Sequence, residues 1–163
     1  MPAFCAEVER VLVPNGLLVL WTYSRPQLPT AHRQPNGKTI NLDNIFADYH
    51  RGWLGPWWPE QRKFVDTGYA DLPMPLGDEF TAIKTPSLWI ERQWTLAELL
   101  GYAASWSATA RCQKAGVDAV GELDRRLRPH WPATGAEQTA NTPITVRWPL
   151  PVIAFRRTAG FSE

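Results

Sequence analysis

Apolar positions recur at helical spacing over the first dozen residues, then run together without a break. Phe4, Val8, Val11 and Leu12 fall at i, i+4, i+7 and i+8, one stripe of an amphipathic helix. Pro14 cannot continue that helix and Asn15-Gly16 tolerate positive φ, so the spacing predicts a helix over 2–12 closed by a turn. Leu17-Leu18-Val19-Leu20-Trp21 does not alternate. A strand with water on one side alternates, so this one is expected to be covered on both faces, as in a parallel or mixed α/β sheet.

The pattern downstream is coarser. Residues 24–40 are polar with three prolines and predict a loop over the strand ends. Leu42, Ile45, Phe46, Tyr49 and Trp53 share a stripe, which predicts a helix over 41–53 capped by Asn41. Gly55 to Pro75 reads as an irregular aromatic and proline-rich insertion, and Ser87 to Arg92 as a strand. Thr95-Leu96-Ala97-Glu98 is a capping box opening a helix carried by Leu96, Leu99, Leu100, Ala103 and Trp106. Val117, Val120, Leu123 and Leu127 mark another helix ending near Pro129. Residues 132–143 form a second polar loop, and 144–155 a last strand that Pro149 and Pro151 confine in part to an edge or a bulge. There is no internal repeat.

Composition narrows the partners. At 163 residues the chain is the size of one ordinary domain. A net charge of +1 gives no electrostatic case for nucleic acid or membrane. No apolar run reaches transmembrane length and the N-terminus has no signal-peptide pattern, so a cytoplasmic protein is expected. Cys5 and Cys112 stand in unlike settings and fit reduced thiols better than a disulfide. The thirteen arginines outnumber four lysines, which suits bidentate recognition of carboxylates and equally reflects a GC-rich coding sequence.

Few chemical motifs are present. There is no Cys-x-x-Cys or His-Glu-x-x-His, and His32, His50 and His130 are scattered, so no metal site is expected. There is no Gly-x-Ser-x-Gly elbow; Ser105 and Ser107 fall inside a helical pattern beside Trp106, where back-bonding or packing is the better reading. A phosphate-binding Gly-x-x-x-x-Gly-Lys loop is missing too.

The block Phe4-x-x-Glu7-Val8-x-Arg10-Val11-Leu12-x-Pro14-x-Gly16, leading into an apolar strand, resembles the helix, turn and fifth strand of class I S-adenosylmethionine-dependent methyltransferases. Val13-Pro14-Asn15-Gly16 departs slightly from that family's usual Lys-Pro-Gly-Gly. Gly55-Pro56-Trp57-Trp58-Pro59-Glu60, Val65-Asp66-x-Gly68-Tyr69, Trp94 to Ala108 and Arg147-Trp148-Pro149-Leu150 resemble the trans-aconitate-methyltransferase-like branch (methyltransferase type 11). The resemblance implies an α/β fold: the C-terminal portion of a Rossmann-like class I methyltransferase, a small mixed sheet with covering helices and an aromatic-rich insertion. Residues 1–163 are then one partial domain without the Gly-rich cofactor-binding half, and 24–87 lie over the acceptor site.

The resemblance also implies chemistry. S-adenosylmethionine is the implied cofactor, yet the chain has no Gly-x-Gly, so no cofactor-binding residue is assigned and the isolated chain is expected neither to bind it nor to transfer methyl groups. The implied acceptor is a small molecule, a carboxylic acid methylated on oxygen. A carboxylate is already nucleophilic near neutral pH, so alignment and desolvation matter more than a general base. The catalytic residues are not identified. Trp21 and Tyr23 end the first strand, where open α/β sheets bind ligands. Trp21 either walls a pocket or packs on the following loop, and the Tyr23 hydroxyl is a donor for a substrate carboxylate. Trp57, Trp58 and Tyr69 either contact the acceptor or pack a proline-rich loop, and Arg62 and Lys63 either pair with an acidic substrate or face solvent.

Topology yields further expectations. Strands at 17–22, 88–92 and 145–155 should form one sheet with the last strand central and antiparallel, covered by the first helix and the helix from Leu96. The open side of 17–22 lacks the family's fourth strand, which predicts half-buried Phe4, Val8 and Leu18 and aggregation or an edge-to-edge dimer through Leu17 to Thr22. Two alternatives of different class are an inactive remnant acting as an aromatic-rich interaction module, and an unrelated sugar- or small-molecule-binding protein.

Overall fold

The computed structural model describes residues 1–29, the backbone of 31–33, and residues 39–74, 76–132 and 141–158. In chain order the elements are α1 (Pro2–Val11), β1 (Leu17–Trp21), β2 (Ala31–Arg33), β3 (Thr39–Asn41), α2 (Leu42–Ala47), α3 (Arg62–Asp66), β4 (Phe80–Ile83), β5 (Leu88–Trp94), α4 (Leu96–Ala104), α5 (Ser107–Lys114), α6 (Ala119–Leu127), β6 (Ile144–Leu150) and β7 (Val152–Arg157). A π-helical stretch Asp48–Trp53 and 3-10 turns at Gly55–Trp57 and Arg128–His130 complete them. The chain divides into two units: unit 1 holds residues 1–24, 61–89 and 149 onward, and unit 2 holds 25–60 and 90–148.

Unit 1 is built on a three-stranded antiparallel sheet ordered β1-β7-β4. Pro2 starts α1 at a position where a missing N–H costs nothing. The helix buries Cys5 and Val8, while Phe4 and Val11 stay 43% and 53% exposed, so half of the expected apolar stripe faces water. Asn15 takes φ 65° in the turn, and a Cβ on Gly16 would lie 2.8 Å from the Val13 carbonyl oxygen. The Arg157 guanidinium reaches back from β7 and donates to the carbonyls of Glu9 and Leu12, which places a cation at the C-terminal end of α1.

The sheet corrects two expectations. β1 alternates between exposed and half-buried positions, because no second layer covers Leu17, Val19 and Trp21 among the described residues. Val8 is buried rather than half-buried, whereas Leu18 is half-buried as expected. The last strand is two strands. Pro151 has no N–H to give the ladder, and there the run splits. Its second half, β7, is central between β1 and β4, while its first half, β6, pairs with β5 in a separate two-stranded sheet. Gln93 Nε2 donates to Thr145 Oγ1 across that pair, 2.9 Å away. The four-residue β4 was not foreseen; Phe-Thr-Ala-Ile is too short to show a period.

Unit 2 closes on a buried cluster. Leu42, Phe46 and Tyr49 meet Leu96, Leu99, Cys112, Leu123 and Leu127, together with Ile144, Val146 and Trp148 of β6. The helix from Leu96 thus covers β6 within unit 2. Asn41 caps α2 by accepting from Asn44 N–H, and the Thr95–Glu98 capping box is complete, both as expected. The helix carried to Trp106 in the sequence reading stops at Ala104: Ser105 is its C-cap, with Oγ donating to the Tyr102 carbonyl, and Trp106 begins α5. Asp118 caps α6 through Gly121 N–H.

Residues 24–40 are not a plain loop. Leu28 is fully buried, Gln27 bridges to Arg147, and β2 pairs with β3. The 55–75 insertion carries the 3-10 turn and α3, and is divided between the units. Thr30, residues 34–38 and 75, the His32 side chain, and most of the predicted 132–143 loop lie outside the described residues.

Candidate functional site

A cleft of about 500 Å³ opens in unit 1, lined by Met1 and Phe4 of α1, Leu18 to Trp21 of β1, and Tyr69 and Leu72. Strand geometry puts Trp21 at its end, 63% exposed, with an indole edge free to meet a ligand. Tyr69 arrives by a different device. Gly68 and Tyr69 both take left-handed backbone, φ 61° and 68°. A Cβ on Gly68 would lie 2.6 Å from Pro151 Cβ, so only glycine allows this approach. Tyr69 N–H donates to the Phe64 carbonyl at 2.7 Å and its own carbonyl accepts from Leu72 N–H at 3.0 Å. A bulky residue in left-handed backbone is uncommon, and such conformations gather at ligand-binding positions.

Of the five residues singled out from sequence, Trp21 and Tyr69 share this cleft. Tyr23 lies two residues beyond Trp21 and is 51% exposed. Trp57 and Trp58 belong to unit 2. Trp58 packs 4.9 Å from the His50 ring and 5.6 Å from Trp106, donating Nε1–H to the His50 carbonyl. The Trp57 carbonyl accepts from Arg111, and its ring lies against the core. Phe4, Met1 and Leu72 were missed as lining residues. Phe4 sits on the apolar stripe, but nothing in a stripe tells which of its members stays open.

Unit 2 holds a second feature not legible from sequence. Leu54 N–H bonds to the Tyr49 carbonyl, the wide π-helical spacing, and this turn buries His50 among Phe46, Trp58 and Trp106. Beneath it Arg25 pairs with both oxygens of Asp43 at 2.9 Å and stacks over Phe46 at 5.6 Å. Burial alone would raise the Asp43 carboxyl. The hydrogen bonds from Arg25 and Leu28 N–H and the Arg25 charge outweigh it, and the group is held below its ordinary value.

Two buried side chains of unit 2 are held in their neutral forms. Burial pushes the Cys112 thiol upward, and burial followed by neighbouring Cys112 and Glu122 pushes the Tyr49 hydroxyl well above the usual phenol range. Tyr49 Oη–H donates to the Ala119 carbonyl at 2.8 Å, a structural role. Cys5 and Cys112 are free and buried. Among the described residues no group of three His, Cys, Asp or Glu side chains could hold a metal, and no helix is long and apolar enough to cross a membrane.

The cleft does not fit S-adenosylmethionine. That cofactor carries a ribose diol whose hydroxyls call for a carboxylate acceptor, and no carboxylate side chain lines the cleft, whose walls are aliphatic and aromatic. Nor does any described glycine turn form a cradle for it.

Comparison with known proteins agrees with the fold. No protein-family model matches the chain. A protein of Dictyostelium discoideum provisionally named a methyltransferase is 27% identical over 161 residues, which are 96% of this chain and 55% of that protein. A solved structure from Anaeromyxobacter dehalogenans, provisionally described as a type II methyltransferase, superposes with a TM-score of 0.73 at 30% identity, covering 96% of this chain and 59% of the other. The comparisons therefore support a methyltransferase class. The chain spans about half the length of the curated relative it matches.

Proposed function

We propose that this chain is the C-terminal, acceptor-side portion of an S-adenosylmethionine-dependent methyltransferase of the trans-aconitate-like branch, one that methylates a small carboxylic acid on oxygen. The observation that carries the reading is the antiparallel pairing of β7 with β1, the part of the expected sheet that is present; the strand at 88–92 expected on the other side of the last strand pairs with β6 in a separate sheet, and β4 takes that place. The motif blocks support the branch, and the two relatives support the methyltransferase class alone. In this reading Trp21 and Tyr69 form apolar walls that hold the acceptor and exclude water, and the Tyr23 hydroxyl donates to its carboxylate. The cofactor site belongs to sequence that this chain does not supply, and no step through the cofactor is assigned to its residues.

The test compares the 163-residue chain with a product extended through any in-frame upstream sequence, by titration calorimetry with S-adenosylmethionine and by transfer of labelled methyl groups to a panel of small carboxylic acids. The chain alone should show neither binding nor transfer. The extended product should show both, and Tyr23→Phe in it should weaken acceptor binding without changing cofactor affinity. A saturable micromolar site on the chain alone would overturn the assignment. An extended product inert toward every acid would favour the second reading, an interaction module that uses the exposed apolar surface of unit 1.

A further inference from the structure

A second cavity, of about 440 Å³, opens within unit 2 at the junction of α4, α5 and α6. Small residues leave this space. Ala104 ends α4, Ala119 begins α6, and Gly116 lies in the turn between α5 and α6. Gly116 takes φ 75°, and a Cβ there would meet no atom within 4 Å. The turn closes α5 as a Schellman motif, with Val117 N–H bonded to the Cys112 carbonyl at 2.9 Å and Gly116 N–H to the Gln113 carbonyl at 3.0 Å. That geometry calls for glycine, and the glycine in turn leaves one side of the cavity open. The volume falls within the range of small-molecule sites.

The polar side chains that line it offer acceptors. Thr109 is buried and spends its hydroxyl hydrogen on the Ala103 carbonyl at 2.7 Å, so toward a ligand its oxygen only accepts. Asp118 caps α6 by accepting from Gly121 N–H through Oδ1 at 2.8 Å, which leaves Oδ2 and the full charge of the carboxylate. Gln113 adds an amide oxygen. No Lys, Arg or His lines the cavity among the described residues, and Arg111, in the last turn of α5, donates to the Trp57 carbonyl. Helix ends tip the balance the same way. Two C-termini, those of α4 and α5, meet one N-terminus, and Asp118 already caps that one.

We propose that this cavity binds a small organic cation, a primary ammonium carried on an apolar stem. An ammonium brings donors and no acceptor, which suits a wall of carboxylate, hydroxyl oxygen and amide oxygen. Its stem lies against Val117, Val120 and Ala119. An anion would meet the Asp118 charge with no cation beside it, and a neutral ligand would forgo the charge-assisted bond. A metal ion of the calcium or magnesium kind takes several oxygen ligands at once, and a single carboxylate is a poor start for one. The inference goes beyond the proposed function: all of its residues belong to unit 2, and it does not rest on methyl transfer.

Titration of the whole 163-residue chain with 2-phenylethylamine, followed by nuclear magnetic resonance of the backbone amides, tests it. The alcohol 2-phenylethanol and the anion phenylacetate serve as neutral and negative counterparts. The amine should shift the Gly116, Val117 and Ala119 signals along one saturable curve. The alcohol should bind about tenfold more weakly or worse, and the acid not at all. Asp118→Asn keeps a side chain that caps a helix as well as aspartate does and removes only the charge. It should weaken the amine about tenfold to a hundredfold and leave the alcohol unchanged. Val120→Trp should fill the cavity and abolish both responses, with circular dichroism to confirm the fold; if that variant does not fold, the Asp118→Asn comparison decides alone. Shifts that never saturate, equal binding of amine and alcohol, an Asp118→Asn chain that binds the amine as well as wild type, or a response that spares Gly116 and Ala119 would each overturn the proposal.

Discussion

Nineteen apolar side chains close on one another in unit 2, from Leu28 to Trp148. In unit 1 the buried apolar residues are Cys5, Val8 and Ala154, among the described residues. Among the described residues, every large apolar side chain left in water, including Phe4, Val13, Leu17, Trp21 and Trp89, also belongs to unit 1. Hydrophobic residues are plentiful in both, so composition does not separate them. What separates them is cover. Four helices and a π-helical turn build the buried cluster of unit 2, whereas β1 is apolar on two faces and receives a layer on only one.

The contrast bears on function because it tells where neighbours are wanted. A side chain such as Leu17 left in water forgoes roughly 1.5–3 kcal/mol of burial, against whole-domain stabilities of about 5–15 kcal/mol. A surface that forgoes several such terms is one on which a partner gains them. In the proposed function the partner is the rest of a methyltransferase. Unit 2 makes no such demand, and its polar network is internal: Arg25 to Asp43, Tyr49 to Ala119, Trp148 to Tyr102.

The largest effects should fall in unit 2. Leu123→Ala removes a fully buried side chain packed against α2 and α4 elements and should destabilise by about 2–5 kcal/mol in a denaturant titration. An unchanged midpoint would mean that unit 2 does not close as described. Asp43→Asn comes next, at about 2 kcal/mol, less than for a sealed ion pair because Asp43 keeps 27% exposure and is screened. Its pH signature has a definite sign. The folded-state carboxyl is depressed, so its contribution is present above the unfolded value near 3.9 and is lost as pH falls through the folded one. Asp43→Asn should flatten that part of an acid titration of stability.

Local signals were read correctly where one or two residues decide the outcome. Asn41 and Thr95 with Glu98 set helix starts by their own chemistry, and each is where the pattern put it. Partnership was less legible. The Leu17–Trp21 run was read as doubly covered because its residues are apolar on both faces, but a sequence states what a face would bury, not whether a layer exists to bury it. The split of the last strand hinged on Pro151, which was noticed as a weak point without the swap of partners it permits. The site shows the same division. The position of Trp21 at a strand end was legible, while Tyr69 reaches the cleft only through the paired left-handed turn at Gly68, whose glycine is required by Pro151 far along the chain. His50 looked isolated because its aromatic neighbours come from three separate segments.

Thr95→Ala should have a smaller effect, about 1 kcal/mol. It removes the hydroxyl that accepts from Glu98 N–H and donates to the Glu98 carboxylate, while the Glu98 bond to Thr95 N–H survives. Amide exchange should quicken over the first turn of α4 and leave α6 unaffected. Faster exchange throughout unit 2 would show that the cap supports more than its own helix.

The smallest effect sharpens the comparison most. Leu17→Ser in unit 1 should change stability by no more than about 1 kcal/mol, since a 49% exposed side chain already keeps half its surface in water. The same change at Leu99, which is fully buried, should cost several times more, because a hydroxyl would lose its solvent inside an apolar cluster. A loss above about 1 kcal/mol in Leu17→Ser would mean that the outer face of β1 is covered in solution, and the two units would no longer differ in the way described.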